Sequence, residues 1–340
     1  MPVLADQSPL AVVGERLCTD LVDVTHDPAC LDAGGFWAVV VPYAGRPVFA
    51  RFAVIRPARP WRGPAWKGPA RPDWRTSLDE AGFTDGVRSI RRAIEAGDVY
   101  QVNLTRQLSA PVAADADVAA LGAALSIGNP APYAAVVRVP AAGLHVASAS
   151  PERFLRREGA LVWSSPIKGT AAGPGEFLPK DEAENVMIVD LVRNDLGRVC
   201  EFGSVCVPAL FAKEHHPGLV HLVSTVAGEL RPDVGWPALL DATFPPGSIT
   251  GAPKVAAMEL IDELEPVDRG VYCGAVGWVD ADRGIGELNV AIRTFWVDVS
   301  GGEPMLLFGT GGGITHDSDP AGEWAETTLK ADTLLGVASG

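Results

Sequence analysis

The sequence predicts an α+β fold in which antiparallel sheets dominate and helices flank them. Segments rich in β-branched and aromatic residues outnumber the helical segments, and they follow one another in adjacent pairs. Such neighbours join simply as antiparallel strands, whereas a doubly wound parallel sheet needs a helix between successive strands. With 340 residues and 47% hydrophobic composition, the chain is long enough for a substantial core.

The first 80 residues are expected to be the strand-rich part of the fold. Two runs with Gly and Pro at their edges predict strands there, GGFWAVVVPYAG and RPVFARFAVIRP. The following Pro-, Trp- and Arg-rich segment RPARPWRGPAWKGPARPDW predicts an extended connection. No composition shift marks a boundary after residue 80. We therefore expect one domain over residues 1–340, with a shortened N-terminal part over 1–80 and a catalytic core over 81–335.

The next elements alternate between single helices and groups of strands. Phe83, Val87, Ile90 and Ile94 recur at helical spacing, and the helix is expected to stop at Gly97. Further strands are predicted in VYQVNLTRQLSA, YAAVVRV, LHVASAS, ALVWSSPI, SVCVPALFA and LVHLVSTVAGEL, and further helices in PKDEAENVMIVDLVRNDL and PKVAAMELIDEL.

The C-terminal part contains a hairpin, a glycine-rich segment and a last helix. AVGWVDADRGIGELNVAIRTFWV predicts a hairpin around DADRG, and PMLLFGTGGGI predicts a strand that runs into a glycine loop. The final helix is expected to begin with Asp319 as its N-cap and Pro320 at its first position.

Charge and cysteine usage exclude several classes of protein. The net charge of −14 disfavours nucleic acid or an anionic membrane as a partner. Five cysteines without C-x-x-C spacing disfavour a disulfide framework or a zinc site and suit a reducing compartment. No basic leader or membrane-length apolar run occurs. We expect a cytoplasmic protein.

Lys168, in the segment SSPIKGT at the end of a predicted strand, has two interpretations. In the first, its aliphatic stem lies on apolar neighbours while the ammonium group reaches water. In the second, the lysine is partly desolvated and acts as a nucleophile or as a charge clamp. The segment alone favours the first interpretation, because lysines are usually solvated.

Carboxylates on two predicted helices suggest a metal site. Glu323, Glu326 and Lys330 share one face of the last helix, just after the glycine-rich segment, which as a loop would offer backbone amides to an anion. Asp181 and Glu184 line up with the apolar stripe of an earlier helix. Two such helices could hold one Mg²⁺ ion, which prefers oxygen ligands. A solvated acidic face remains an equal alternative from spacing alone.

Other motifs do not match their signatures. The segment GSITGAPK departs from the P-loop spacing, GTGGGI departs from the dinucleotide-binding fingerprint, and no G-x-S-x-G elbow occurs. No cysteine lies in a comparable glycine-flanked turn, so a glutaminase nucleophile is not visible.

Several ordered motifs together resemble the chorismate-utilising enzymes, a family that includes anthranilate, aminodeoxychorismate, isochorismate and salicylate synthases. The resemblance covers roughly residues 80–335 and rests on GDVYQVNLT, SASPERFL, PIKGT, DEAENVMIVDLVRNDLGRV, HLVST, FPPGSITGAPKVAAMELIDELEP, GVYCGAVGW, IRT and GGGITHDSDPAGEWAET. It implies two large antiparallel sheets packed together and flanked by helices, with the active site between the sheets.

The resemblance is greatest to the aminodeoxychorismate synthase component I branch, because the motif reads PIKGT. In that branch Lys168 would attack ring carbon 2 of chorismate and expel the 4-hydroxyl, and ammonia would then attack carbon 4. Gln101 stands where isochorismate and salicylate synthases carry a water-activating lysine, and a glutamine is no general base. The implied product is 4-amino-4-deoxychorismate, on the route to 4-aminobenzoate and folate.

The resemblance also implies a role for each remaining site residue. Glu152 would be the general acid, and Arg293 with Tyr272 would bind the enolpyruvyl carboxylate. The implied Mg²⁺ ligands are Glu184 and Glu326, with Asp181 and Glu323 acting directly or through water. Substrate contacts are implied for Gly311, Gly312, Lys330, His221, Ser248 and Thr170. For His221, a structural core histidine remains an alternative.

Two other functions stay open. One is anthranilate or 2-amino-2-deoxyisochorismate synthesis, and the other is a catalytically silent chorismate-binding partner. In each case a separate glutamine amidotransferase subunit is the implied partner. The N-terminal part shows no tryptophan-site motif, and the link after PIKGT is compressed to AAGPGEFLPK. His316 receives no role.

Overall fold

Eighteen strands and six α-helices make up the regular structure in a computed structural model that describes residues 7–171, 177, 179–216 and 219–340. The strands are β1 Leu10–Val13, β2 Arg16–Thr25, β3 Phe36–Val41, β4 Val48–Pro57, β5 Arg75–Thr76, β6 Gln101–Pro111, β7 Tyr133–Val139, β8 Leu144–Ser150, β9 Arg153–Glu158, β10 Leu161–Ser165, β11 Ile167–Ala171, β12 Cys206–His216, β13 Leu219–Glu229, β14 Gly251–Ala252, β15 Ala275–Asp280, β16 Ile285–Val290, β17 Thr294–Asp298 and β18 Met305–Ile314. The helices are α1 Glu80–Ala96, α2 Val118–Gly128, α3 Pro179–Gly197, α4 Trp236–Thr243, α5 Lys254–Leu264 and α6 Pro320–Ala338.

Every strand pairing in the described part of the chain is antiparallel, which confirms the predicted fold class. One half of the sheet runs β6–β18–β17–β8–β7, and the other runs β2–β4–β3–β15–β16–β9–β10–β13. Strand β1 pairs with β2 on one side and with β7 on the other, so it joins the two halves into one hydrogen-bonded system. Strands β11 and β12 both pair with β13.

The two halves face one another across the largest hydrophobic cluster. That cluster contains Val137 and Val146 from the first half together with Val39 and Val276 from the second. Asn289 of β16 crosses the gap, because its amide donates to the carbonyl oxygen of Tyr133 at 2.8 Å. The arrangement gives the two packed layers that the family resemblance implies.

The helices cover the outer faces of the sheet and place the site. Helix α6 packs on β18 and against α1 and α2, while α3 packs on β13 and β11. Asn185 of α3 fixes the second contact: it accepts a hydrogen bond from Ser224 at 2.5 Å and donates to Leu222 at 3.3 Å. Helices α3 and α6 therefore each bring one face to the strands that carry the candidate site residues.

Two helices are absent from the sequence-based prediction. Helix α2 is nearly uniformly apolar because it packs on β7, β8 and α6, so it shows no alternation of polar and apolar faces. Helix α4 has 8 residues, too few for a periodic signal. The remaining helices lie where the sequence predicts them, and Asp319 caps α6 by accepting from the backbone N–H of Gly322 at 2.8 Å.

The glycine-rich segment is not a loop, which corrects the prediction. Residues 309–313 lie inside β18 and pair in register with β6, from Gly309 opposite Gln107 to Gly313 opposite Asn103. The glycines serve close approach instead of a backbone cradle. A Cβ on Gly309 would lie 2.1 Å from the ring of Tyr272, and one on Gly312 would lie 3.2 Å from a carboxylate oxygen of Glu323.

Candidate active site

Lys168 points into the protein rather than to solvent. It lies on β11, only 12% of its side chain is exposed, and its Nζ is 3.9 Å from Oε2 of Glu184 on α3. Burial lowers its pKa, and Lys330 lowers it further, while the carboxylates of Glu184, Glu152 and Glu326 oppose the shift. The interpretation of Lys168 as a solvated surface lysine is therefore wrong.

Glu152 is a buried carboxyl group held beside Lys168. It lies between β8 and β9 with 4% exposure, accepts a hydrogen bond from the backbone N–H of Ile167 and is hydrogen-bonded to the hydroxyl group of Ser248. Burial raises its pKa to about 7, although Ser248, Lys168 and Ile167 each act to lower it. Arg153 does not neutralise it, because Nε of Arg153 donates to Glu287 at 3.0 Å.

The pKa of Glu152 is raised and the pKa of Lys168 is lowered, and these opposite shifts determine which chemistry the pair can perform. Near neutral pH, Glu152 can both hold and release a proton, which suits a group that must donate and later recover a proton. The lowered pKa of Lys168 increases the fraction of neutral amine, the form that attacks carbon. A buried amine and a carboxyl group that can carry a proton therefore interact electrostatically in this part of the protein.

Helix α6 and strand β18 form the more exposed half of the site. Glu323 is 9% exposed and accepts a hydrogen bond from Ser318 at 2.6 Å. Glu326 and Lys330 form an ion pair at 2.6 Å, with about half of each side chain exposed. Lys330 also donates to the backbone carbonyl of Gly311 at 3.2 Å. The lysine thereby links the helix to the glycine strand.

Carboxylates of both α3 and α6 lie within electrostatic range of Lys168. Glu184 and Glu326 both act on its charge, so the two helices contribute acidic groups to the same space. These oxygen donors fit a hard cation such as Mg²⁺. Within the described side chains, no group of three His, Cys, Asp or Glu residues is arranged as a complete ligand set. Asp181 lies in α3, but its side chain falls outside the described residues.

Arg293 is a partly buried cation suited to bind an anion. It follows β16 with a backbone φ of 51°, a conformation that costs energy for a residue with a side chain. Burial lowers its pKa, and no carboxylate in the described part of the chain pairs with it. Tyr272 packs its ring on Gly309, and burial raises the pKa of its hydroxyl group well above the usual value. No described contact joins Arg293 to Lys168.

Strand pairing places the remaining predicted residues near the same centre. His221 of β13 is buried opposite Thr170 of β11 and Glu214 of β12. The side chain of Thr170 falls outside the described residues. Gln101 begins β6 and is 1% exposed. The structure thus brings Lys168, Glu152, Ser248, Glu184, Glu326 and Lys330 into one group linked by contacts or by charge, and it leaves the side-chain contacts of Thr170 and Asp181 undescribed.

Sequence reasoning missed two residues that shape the site. Ser318 orients Glu323, and Asn103 donates from its amide to the backbone carbonyl of Ser248 at 3.0 Å. A signal for Asn103 was present, because residues two apart on a strand share a face, and Asn103 is two residues after Gln101. Ser318 gave no signal, because it lies before the helix that carries its partner.

Comparisons with known proteins agree with this geometry. A protein-family model described as chorismate binding enzyme matches residues 62–336. Aminodeoxychorismate synthase from Streptomyces pristinaespiralis is 46% identical over 267 residues, which cover 74% of this chain and 36% of that protein. Anthranilate synthase component 1 from Streptomyces coelicolor is 41% identical over 274 residues, which cover 77% of this chain and 52% of that protein. The matches therefore span between a third and just over half of these relatives.

A solved structure shares the fold. The anthranilate synthase component I from Streptococcus pneumoniae superposes with a TM-score of 0.73 at 26% identity, covering 88% of this chain and 80% of that one. Among the described residues, none of the helices combines the length and hydrophobicity needed to span a bilayer. Overall identity to the two kinds of synthase differs by only a few per cent, so the side chains of the site must distinguish their reactions.

Proposed function

The chain belongs to the family of chorismate binding enzymes, and within it we propose that the reaction is amination of chorismate at ring carbon 4, giving 4-amino-4-deoxychorismate. The observation that carries this proposal is the buried pair of Lys168 and Glu152, whose pKa shifts favour a neutral amine beside a carboxylic acid. The two groups match the requirements of covalent catalysis with acid assistance.

The first half of the proposed reaction forms a covalent intermediate. The neutral amine of Lys168 attacks carbon 2, the ring double bond shifts, and the bond between carbon 4 and its hydroxyl oxygen breaks. Glu152 gives its proton to that oxygen, which leaves as water. The new secondary ammonium on Lys168 returns one proton to the carboxylate of Glu152, so that the acid is restored for the second half.

The second half releases the lysine. The lone pair of ammonia forms a bond to carbon 4, the ring double bond shifts back toward carbon 2, and the bond between carbon 2 and Nζ of Lys168 breaks. Glu152 protonates the departing nitrogen and then accepts the surplus proton of the new amine. The sum is chorismate plus ammonia to the aminated product plus water, and both side chains end in the state in which they began.

Other residues would bind the substrate. Arg293 offers a planar, charged fork for the enolpyruvyl carboxylate, with Tyr272 as a second donor. The ring carboxylate would lie beside Gly311, Gly312 and Lys330, and the ring hydroxyl would lie near His221, Ser248 and Thr170. Glu184 and Glu326 would hold Mg²⁺, with Asp181 and Glu323 as further carboxylates. When bound, the ion would neutralise the negative charge that accumulates where carboxylates of protein and substrate meet.

We propose that ammonia comes from a glutamine amidotransferase subunit. A protein named aminodeoxychorismate synthase component 1, from Klebsiella aerogenes, is 41% identical over 77% of this chain, and such a name implies a second component. The five cysteines are all free, but Cys273 and two others are buried and have raised pKa values, which is unfavourable for a thiolate nucleophile. A cytoplasmic enzyme serving 4-aminobenzoate and folate synthesis follows from this assignment as part of the proposal.

A second candidate is amination at carbon 2, giving anthranilate or 2-amino-2-deoxyisochorismate. It is favoured by the 41% identity to an anthranilate synthase component and by the shared fold. Lys168 argues against it, because an amine bonded to carbon 2 blocks that carbon from ammonia and directs attack to carbon 4.

A product assay tests the proposal. The purified chain is incubated with chorismate, magnesium chloride and ammonium chloride at alkaline pH, and the products are separated by chromatography with mass detection. The isomers share a mass, so authentic standards and conversion by an aminodeoxychorismate lyase to 4-aminobenzoate identify the product. A 4-amino product is expected. A 2-amino product or anthranilate would support the second candidate, and chorismate binding without turnover would indicate a non-catalytic partner of an amidotransferase.

A further inference from the structure

A largely buried ion pair lies beside the catalytic acid. Nζ of Lys254, the first residue of α5, donates to Oδ2 of Asp195 on α3 at 2.6 Å, and the two side chains are 17% and 12% exposed. Asp195 lines a cavity of about 10 Å³ together with Glu152 and Ser248, so the pair is close to the residues that handle the proton. Desolvation offsets much of the attraction in such a pair, so its effect on geometry matters more than its contribution to stability.

Lys254 fastens the segment that carries Ser248. Residues 243–254 run from the end of α4 to the start of α5, and Ser248 lies in the middle of them. Nζ of Lys254 donates to the backbone carbonyl of Thr243 at 3.4 Å as well as to Asp195. One ammonium group therefore joins the two ends of this segment to each other and to α3.

The turn that carries Ser248 contacts both α3 and β6. A Cβ on Gly247 would lie 3.3 Å from the Cβ of Leu191, so the turn rests directly on α3. The side-chain amide of Asn103 on β6 donates to the backbone carbonyl of Ser248 at 3.0 Å. The position of Ser248 therefore depends on how this segment is held against both elements.

Ser248 is the contact of Glu152 that the ion pair can influence. Burial raises the pKa of Glu152, and three neighbours act to lower it: the hydroxyl group of Ser248, the charge of Lys168 and the backbone N–H of Ile167. Lys168 and Ile167 both belong to β11. Cys273 is a further titratable neighbour, because burial raises the pKa of its thiol and the charge of Glu152 adds to that rise. Among these described contacts, Ser248 is the one in the segment that the ion pair fastens.

We propose that Lys254 and Asp195 are positioning residues, whose ion pair keeps the hydroxyl group of Ser248 hydrogen-bonded to the carboxyl group of Glu152. Its importance for catalysis rests on the proposed function, in which Glu152 is the general acid. A hydroxyl donor favours the charged form of a carboxylate, so a weaker contact with Ser248 makes Glu152 keep its proton to a higher pH. The pair acts through Ser248 and takes no proton itself.

The test follows the protonation of Glu152 by infrared spectroscopy across the pH range around neutrality. The C=O stretch of its protonated carboxyl group is assigned by subtracting the spectrum of Glu152→Gln in the same background. Lys254→Met keeps a similar length and removes the donor. We expect the midpoint to rise by about one pH unit, the effect of losing a hydrogen bond to a charged group. Lys254→Arg should largely restore the wild-type midpoint.

Arg138→Met is the matched control. Arg138 and Asp117 form an ion pair with the same 2.6 Å separation and similar burial, between β7 and the N-cap of α2. The variant should lose thermal stability to a degree similar to Lys254→Met but leave the midpoint of Glu152 unchanged. An equal midpoint in the two variants would mean that the pair of Lys254 has only a structural role, and the proposal would be wrong.

Ser248→Ala separates positioning from a direct effect of charge. This variant should raise the midpoint by itself, and adding Lys254→Met to it should raise the midpoint no further, because the contact is already lost. A full additional rise would show that the charge of Lys254 acts directly on Glu152, and the proposal would fail. Should Lys254→Met not fold, the double variant Asp195→Leu/Lys254→Met replaces both charges without changing the net charge and carries the same expectation.

Failure of the positioning role and failure of the proposed reaction are distinguishable. The infrared midpoint is measured without substrate, so it reports on the contact between Ser248 and Glu152 whatever the reaction is. If the expected shifts are found but the wild type forms no adduct on Lys168 from chorismate, the proposed reaction fails and the positioning role stands. If the adduct forms but the midpoint of Lys254→Met equals that of the wild type, only the positioning role is wrong.

Discussion

Lys168 and Lys330 place the same functional group in opposite halves of the candidate site. Lys168 lies on β11 with 12% of its side chain exposed, whereas Lys330 lies on α6 with 49% exposed. Lys168 is 3.9 Å from its carboxylate neighbour, and Lys330 is in direct contact with Glu326 at 2.6 Å. The buried lysine has a lowered pKa because burial disfavours its charged form. Location in the fold, rather than residue type, lowers the pKa of Lys168 and leaves Lys330 in a half-exposed ion pair.

Glu152 and Glu326 show the same contrast between a buried and an exposed side chain. Glu152 is 4% exposed and its pKa is raised to about 7, so it can carry a proton at neutral pH. Glu326 is half-exposed and forms an ion pair with Lys330. The buried half of the site is thus built to exchange protons, and the exposed half is built to hold charge. Four substitutions test this division.

The largest expected effect comes from the buried lysine. Lys168→Ala should lower kcat with ammonia at least about 10³-fold, because removal of a covalent nucleophile leaves only binding and electrostatic contributions. Lys330→Ala should lower kcat/KM for chorismate by less than about tenfold, because an exposed charge contributes little. Intact-mass measurement should find the chorismate adduct in the wild type and in Lys330→Ala, but not in Lys168→Ala.

The exposed Lys67→Ala is the neutral control for these two variants. Equal losses for Lys168→Ala and Lys330→Ala would remove the distinction between the two halves. Full activity of Lys168→Ala would rule out the covalent route.

Local sequence patterns predicted most of the fold, and the exceptions have a common cause. Alternating β-branched residues locate strands such as β7 and β8 because side-chain direction is a local property of a strand. The glycine segment of β18 was misassigned because its partner, β6, is some two hundred residues away in sequence, and nothing local records that pairing. Helix α2 was missed because tertiary burial on several sides removed its polar face.

In the candidate site, too, local features were predictable, whereas contacts between distant segments were not. Spacing alone identified the carboxylate faces of α3 and α6, because helix periodicity is local. It could not predict that Glu152 would meet Ser248, since these residues come from distant segments and are joined only by the packing of β8, β9 and the turn before β14. The proposed role of Lys168 came from its motif, and its burial came from the structure. Asn103 was overlooked because a buried asparagine is commonly structural.

The prediction of intermediate size concerns Glu152, whose buried negative charge should lower the free energy of unfolding. The pKa of Glu152 is raised because burial disfavours its charged form. The charged group therefore lowers the free energy of unfolding. This loss of stability is absent below about pH 4.5 and fully present above about pH 7. Glu152→Gln keeps the shape and removes the charge. It should therefore stabilise the protein above pH 7 by about 3 kcal/mol. The thermal midpoint at pH 8.5 should rise by roughly 4 °C.

The pH dependence supplies the control for this prediction. At about pH 4.5 the wild type and Glu152→Gln should unfold at nearly the same temperature, because Glu152 is then protonated in the folded state. Substitution of an exposed acid, Glu259→Gln on α5, should give no such pH-dependent gain. A stabilisation equal at both pH values would mean that shape, not charge, causes it. Activity should fall by about 10²- to 10⁴-fold, the usual loss of a general acid.

The smallest expected effect concerns the exposed ion pair. Glu326→Gln breaks an i, i+4 contact that is half in water, so it should lower the free energy of unfolding by only about 0.3–0.5 kcal/mol, and added salt should remove the difference. The more specific effect of Glu326→Gln should be on the response to magnesium. Magnesium chloride should raise the thermal midpoint of the wild type, and the variant should need a higher concentration for the same rise. Glu303→Gln, in the exposed turn before β18, is the control. If Glu326→Gln lost much stability in the absence of magnesium, the exposed half would also be needed to stabilise the fold. The division between the two halves would then fail.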